Sequence, residues 1–440
     1  MSQPGRPRPG SGLSPLVPLA YLVCAAVAFL AACQSVPWLA PELAGHYYHP
    51  QLLGLTHTVT LGWVTLAIMG ASYQLIPIVL EREIWSEPLA RWQLATLAVA
   101  VTGMVAHFQL GTWPGLAAAA GLLAIGIALH LLNVGMSLRG FTRWTFTARL
   151  VALAYGGLAL TTVFGLALAA NRVWPFLPGE LFPTLHAHVH LALLGWVAPM
   201  IFAVAARVYP MFFLAPTPQR WHSFLQLWGL TTGVPLVVLG LLGVHGLLVA
   251  GTLAVAAAAG AHVAWVCEMA WGRKRPGLDW GLRFVLTATA FLAPAVVLGV
   301  ALATDRLAGP RVALAYAVVM LGGWISLTIV GMMLKIVPFL VWYRAFSPRA
   351  GREPVPTLAQ LSWPRAEGLA YVLLTGGVVL LAATVLVGEA AGICAAGVLL
   401  ALGSLAFAAA LARVLGYLSG RAQAWSPQAR TLVNARARDV

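Results

Sequence analysis

Charged residues are scarce in this chain. They make up 9% of its 440 residues, against roughly 25% in an ordinary soluble protein. This scarcity excludes a large soluble domain. Instead, the sequence contains twelve apolar runs of the length, about 20 residues, that a membrane-spanning helix needs. The runs are 14–34, 51–80, 90–110, 115–138, 148–170, 186–213, 222–245, 247–271, 283–303, 311–342, 366–387 and 391–418.

Cysteine is also rare, and its spacing excludes two kinds of site. The four cysteines all lie within apolar runs, and neither CxxC nor CxxCH occurs. A disulfide framework and a covalently attached c-type haem are therefore not indicated. Any haem is expected to be of b type.

Acidic residues are few, so the chain carries a net charge of +14. If the N-terminus is inside, only Arg172, Arg306 and Arg311 fall on the outer side, and Arg207 and Lys335 lie within runs. The other basic residues are all on the inner side, as the positive-inside rule requires. We expect a bacterial inner-membrane protein with both termini cytoplasmic and no role in nucleic-acid binding.

Three segments of the chain repeat one another without gaps. They are LGWVTLAIMGASYQLIP (61–77), LGWVAPMIFAVAARVYP (194–210) and GGWISLTIVGMMLKIVP (322–338). Because these are the second, sixth and tenth runs, they predict an all-α fold of three pseudo-symmetric four-helix repeats. The predicted organisation is a cytoplasmic segment at 1–13, one membrane domain at 14–418 with repeats 14–147, 148–282 and 283–418, and a cytoplasmic tail at 419–440.

Histidine is unexpectedly common, with eleven copies. Ionisable groups inside a bilayer are costly and usually functional. At 100° per residue, His186 and His190 share one helix face while His188 points away, so one helix can serve two sites. His57 and His190 each lie six residues before the Trp of their repeat. We therefore expect them at similar depth, facing one another.

Neutral imidazole binds haem iron, copper and zinc, and two imidazoles can clamp a low-spin haem. The sequence predicts haem binding by His57 and His190, with His188 as a second ligand or in a second site. Further candidate metal ligands are His186, His130 and His262. The alternative for each is a hydrogen-bonded structural residue, and for His130 and His262 a polar helix–helix contact.

Other polar residues near the runs have simpler interpretations. Arg207 and Lys335 either extend to the inner interface or form part of a proton or anion path. Trp63, Trp196 and Trp324 are deep enough to pack against a macrocycle. His222, the only histidine on the inner side, is expected at the surface.

The histidine helices resemble those of subunit I of the haem-copper oxidase superfamily. The segment from His188 to Pro210 resembles the His-x-His-(five)-Trp helix of C-type cytochrome c oxidases and nitric oxide reductases. The segment from His57 to Pro77 resembles their low-spin-haem helix. The resemblance implies a twelve-helix core with haem and copper. A second resemblance, in architecture, is to histidine-rich twelve-span proteins linked to nitric oxide stress.

The sequence departs from the superfamily in the placement of its motif. The His-x-His motif lies on the sixth run instead of the tenth, where Tyr316 and Val318 occupy the matching positions. The adjacent histidine pair expected on the seventh run is absent. We therefore expect no complete haem-copper centre.

The predicted function is that of a haem-binding inner-membrane protein in electron transfer or in O₂ or NO reduction or handling. The expected cofactor is haem, with copper as a further candidate. The expected partners are the lipid bilayer and a cytochrome c or other electron-donor subunit. The alternative is a transporter or sensor of copper, haem or a small solute that uses the outer-side histidines.

Overall fold

The computed structural model describes residues 13–215, 217, 219–274 and 277–419. Twelve of its helices are long and apolar enough to cross a membrane, which confirms the predicted fold class. The predicted segments 1–13 and 419–440 lie almost wholly outside the described residues. Spans 1 to 12 are, in order, Leu16–Ser35, Pro50–Pro77, Glu87–Leu110, Trp113–Ser137, Phe146–Asn171, Leu181–Phe213, Arg220–Leu241, Leu247–Trp271, Trp280–Ala303, Pro310–Ala345, Pro364–Val387 and Ala390–Ser419.

The predicted and observed spans agree to within a few residues at most ends. The main difference is span 6, which begins at Leu181 instead of residue 186. The added residues, 181–185, read LFPTL and are mainly apolar. Their Pro183 lies in the first turn of the helix, where the missing N–H costs no intrahelical hydrogen bond.

Spans 2, 6 and 10 form the centre of the bundle. Their most apolar stretches are 56%, 78% and 78% buried, whereas those of the other spans do not exceed 50%. The three repeat tryptophans, Trp63, Trp196 and Trp324, are all fully buried. The repeated sequence segments are therefore the ones that pack against one another, while the remaining spans surround them.

Each central span changes from α- to π-helix at the same point of the repeat. The π-helical segments are Thr58–Thr65, Leu191–Val197 and Val318–Ser326, and each contains the Gly-Trp pair. His57 and His190 directly precede the first two segments. A π-helix has i→i+5 hydrogen bonds and occurs frequently at functional sites. The sequence did not predict these segments, because they carry no propensity signal of their own.

Span 5 packs directly on the π-helical segment of span 6. A Cβ added to Gly157 would lie 2.0 Å from the carbonyl oxygen of Gly195. The backbones can approach this closely only because both positions are glycine. The neighbouring Gly156 has nothing within 4 Å of its would-be Cβ, so it makes no such contact.

We expect Gly157→Ala to destabilise the bundle by roughly 1–3 kcal/mol, the usual cost of overpacking. Gly156→Ala is the matched control, with an expected change within about 1 kcal/mol from helix propensity alone. The measurement is thermal unfolding of the purified protein in detergent. Equal melting temperatures for the two variants would contradict the close contact between spans 5 and 6.

Candidate functional site

A cavity of about 900 Å³ lies among spans 2, 6 and 10. It extends toward the end of the bundle that carries the loop between spans 1 and 2, residues 36–49, which we call the histidine end. The walls come from spans 1, 2 and 6–12 and are mainly aliphatic. The histidines in the lining are His46, His57, His186, His188 and His190. This volume is at the upper end of the range for ligand pockets, about 300–1,000 Å³.

His57 is held by the turn of helix that precedes it. Its Nδ1 lies 2.7 Å from the carbonyl oxygen of Leu53, and its ring stacks on Phe108 of span 3 at 5.0 Å. A carbonyl oxygen can only accept, so Nδ1 carries the proton and donates it. Nε2 then carries the lone pair, and it has no hydrogen-bond partner among the described residues.

His190 has the same local arrangement on span 6. Its Nδ1 donates to the carbonyl oxygen of His186 at 2.8 Å. Its ring lies parallel to that of Tyr316 on span 10, with centroids 6.1 Å apart. Within the described part of the chain, its Nε2 also lacks a hydrogen-bond partner. The two symmetry-matched histidines therefore have the same tautomer and border the same cavity.

His188 points in a different direction from His190. Its Nδ1 donates to the carbonyl oxygen of Thr161 on span 5 at 3.1 Å, and its ring lies within electrostatic range of His57. Its Nε2 is likewise without a partner among the residues described. The two imidazoles of the His-x-His motif thus reach two neighbouring spans, span 5 and span 10.

His186 differs from these three because its Nε2 has a hydrogen-bond partner. The hydroxyl of Tyr47, in the loop between spans 1 and 2, lies 2.9 Å from its Nε2. Burial raises the pKa of the Tyr47 phenol, so the hydroxyl keeps its proton and donates it. His46 stacks on Tyr47 at 4.5 Å. The loop is thereby fastened over the cavity, a role for Tyr47 that the sequence did not suggest.

His130 lies inside the first repeat, away from the cavity lining. It is fully buried. Its Nδ1 lies 3.2 Å from the Tyr73 hydroxyl and 3.3 Å from Gln93 Oε1, and its Nε2 lies 3.3 Å from the Tyr155 hydroxyl. With both nitrogens engaged, His130 has the polar helix–helix contacts of the structural alternative.

His262 lies next to the cavity but outside its lining. Its ring stacks on Phe202 at 4.1 Å, with an angle of 10° between the planes, and Phe202 is part of the cavity wall. The His262 ring is therefore one aromatic layer away from the cavity. Its Nδ1 has no hydrogen-bond partner in the part of the chain that is described.

Most of the tryptophans and cations named from the sequence lie outside the cavity lining. Trp63 donates its indole N–H to Ser326 on span 10 at 3.1 Å, and Trp196 packs against Tyr155. Of the three repeat tryptophans, Trp324 is the one that borders the cavity.

Lys335 forms a 2.6 Å ion pair with Asp279, whereas Arg207 is exposed on span 6. The expected surface position of His222 is wrong, because this side chain is fully buried. Hydropathy places His222 at the end of a span but gives no information on which neighbour covers it, and span 8 does so.

Within the described residues, no three His, Cys, Asp or Glu side chains come together in a group that could hold a metal ion. The arrangement instead offers individual imidazoles at the wall of an apolar space. Such a set of donors suits a cofactor that brings its own equatorial ligands to the metal. It does not provide the three or four protein ligands of a zinc site.

Comparisons with known proteins give one distant likeness. No family model matches the chain. The chain is 25% identical over 181 residues to the quinol oxidase subunit 1 of Sulfolobus acidocaldarius. The match covers 38% of this chain and 34% of that protein, about a third of the relative's length. The chain is thus a multi-pass membrane protein with a distant likeness to a quinol oxidase subunit.

Proposed function

We propose that this chain is a haem-binding membrane protein related to subunit I of the haem-copper oxidases. Its role would be electron transfer, or reduction or handling of O₂ or NO. One observation carries the proposal. His57, His188 and His190 each donate Nδ1–H to a backbone carbonyl, and each leaves Nε2 without a partner among the described residues at the wall of one large apolar cavity.

The tautomer is the one that a metal ligand needs. Histidines that bind metals almost always donate their other ring N–H to a carbonyl or carboxylate, which fixes the ring and raises the basicity of the ligating nitrogen. A lone pair that faces an apolar wall is unfavourable unless it gains a partner. Three such lone pairs around one cavity are therefore better explained by a bound ligand than by packing.

The residues present fit a haem. The cavity is large and mainly aliphatic, as a porphyrin requires, and a haem iron needs one or two protein ligands instead of a cluster. Copper is less well supported, because a copper centre of the oxidase type needs several ligands together and the described residues offer no group of three.

The side chains would have distinct roles. His57 and His190 would hold the haem iron, and His188 would be the second ligand in place of His190 or the ligand of a second group. When bound, haem would supply a one-electron couple, and if one histidine alone held the iron it would also supply a place for a diatomic gas. Tyr316 would hold the His190 ring in its plane, and the Tyr47–His186 hydrogen bond would limit access of water from the histidine end.

The second candidate is transport or sensing of copper, haem or a small solute. The cavity lining continues to loop residues at the histidine end, among them Tyr47, Asp305 and Gly309, so a ligand could enter there. Internal repeats also occur in transporters. Metal bound without haem in the purified protein would favour this candidate over the first.

The distribution of basic residues suggests how the site faces the cell. The positive-inside rule places the histidine end outside the cytoplasm and both termini inside. An electron donor, either a cytochrome c or a partner subunit, would then approach the site from the outer face of a bacterial inner membrane.

We expect the protein, purified from haem-supplied cells, to show a Soret band with stoichiometric iron. His57→Ala and His190→Ala should each lower the bound haem at least tenfold. Loss of a group that merely hydrogen-bonds to a metal ligand already lowers metal affinity by about 10–100-fold. His107→Ala is the matched control, because His107 lies at the same end of the bundle, bonded to Thr112, outside the cavity lining. Absence of the band in the wild type, or its survival in both variants, would refute haem ligation by this pair.

The proposed orientation is testable by cysteine labelling. In a background free of the four native cysteines, Glu180→Cys at the histidine end should react with a membrane-impermeant maleimide in intact spheroplasts. Glu81→Cys at the opposite end should react only after lysis. Both positions are exposed, so reversed labelling would mean that the histidine end faces the cytoplasm.

A further inference from the structure

Spans 7 and 8 face each other with a second set of polar residues, near the end of the bundle opposite the histidine end. The two spans are antiparallel, with Gly229 against Ala258 and Gly233 against Val255. In the same register, His222 Nε2 lies 3.3 Å from Glu268 Oε1. The register places Gln226 at the level of His262 and Trp265.

His222, Gln226, Trp265 and His262 are buried, and each has at least one polar atom without a hydrogen bond in the described part of the chain. His222 and Gln226 are 0% exposed. Both ring nitrogens of His222 and both amide atoms of Gln226 lack a hydrogen bond to any described residue, as do Trp265 Nε1 and His262 Nδ1. The His222–Glu268 distance suits an ion pair when the imidazole is protonated, but the atoms are not aligned as a hydrogen bond.

Six such atoms on facing stretches of two packed spans, residues 222–226 and 262–268, are not expected in a native membrane protein. Each buried polar group without a partner costs about as much as a lost hydrogen bond, and such groups are rare enough that each calls for an explanation. The lipid outside cannot supply partners. The donors and acceptors occur together here, which suits water, since a buried water makes two to four hydrogen bonds of both kinds.

We propose that spans 7 and 8 enclose a water-binding site around His222 and Gln226. Through Glu268, this site exchanges protons with the solvent at the end of the bundle opposite the histidine end. Glu268 is suited to this role because its side chain is 45% exposed while also facing His222. On the side that faces the cavity, the stack of His262 on Phe202 separates the water-binding site from the cavity. The proposal does not depend on haem, because His222, Gln226 and Glu268 do not line that cavity.

The charged groups around His222 are few. Glu268 faces it from span 8, and Arg273, whose Nε is also buried without a partner, lies in the loop after span 8. Arg220 lies on the same span as His222, at an exposed position. Water next to His222 therefore has one acidic group, Glu268, between it and the solvent.

Two mass-spectrometric measurements on the full chain in lipid nanodiscs test the proposal. The first is radiolytic footprinting in H₂¹⁸O, which oxidises side chains next to bound water. We expect ¹⁸O uptake at Trp265 to exceed that at Trp63 at least fivefold, although both are buried. Trp63 is the matched dry control, because Ser326 satisfies its indole.

The second measurement is deuterium exchange at the imidazole C2 carbon, which requires protonation of the ring and access to solvent. His222 should exchange at least fivefold faster than His130, which is equally buried but bonded to protein groups on both nitrogens. Glu268→Gln should slow exchange at His222 and leave footprinting at Trp265 unchanged.

The outcomes separate the parts of the proposal. If Trp265 is no more labelled than Trp63 and His222 exchanges no faster than His130, the site is dry and the proposal is overturned. If His222 exchange is the same in the Glu268→Gln variant, proton exchange through Glu268 is overturned. Gln226→Leu tests the site without changing His222. If the site is hydrated, this variant should lower the melting temperature of the protein. A higher melting temperature would show that the Gln226 amide has no water partner.

Discussion

Inside a bilayer, a polar group must find its partner within the protein or in something that the protein binds, because lipid offers none. This constraint organises the whole interior of the bundle. His130 meets it through tyrosine and glutamine side chains of spans 2, 3 and 5. His57, His188 and His190 meet half of it through backbone carbonyls and present the other half to a cavity. His222 faces Glu268 without a hydrogen bond, and Gln226 has no hydrogen-bond partner among the described residues.

These three degrees of hydrogen bonding among the buried polar groups divide the molecule into regions with different roles. The satisfied network around His130 fixes spans 2 to 5 against one another. The half-satisfied imidazoles surround the cavity toward the histidine end, where the central spans turn π-helical. The unsatisfied pair lies toward the opposite end, and the rings of Phe202 and His262 lie between it and the cavity. The likeness to an oxidase subunit covers about a third of that relative. It is compatible with this division into regions but does not say what each region does.

Much of the architecture follows from the sequence, because hydropathy and charge report on the bilayer directly. The twelve spans follow from run length. The structural equivalence of His57 and His190 follows from their equal distance to Trp63 and Trp196. The rest depends on which side chain covers which, and one sequence does not contain that information. The Tyr47–His186 hydrogen bond joins a loop to a span 139 positions away, and the burial of His222 depends on its neighbour in span 8. The π-helical segments coincide with the Gly-Trp pair of each repeat, but that pair by itself does not predict a π-helix.

The most direct measurement is pulsed electron paramagnetic resonance on oxidised protein in which only histidine carries ¹⁵N. We expect a ferric haem signal with hyperfine coupling to imidazole nitrogen, and loss of that coupling when both His57 and His190 are replaced. A protein that holds no haem iron, or one whose iron shows no coupling to histidine nitrogen, would contradict the assignment of these imidazoles as ligands.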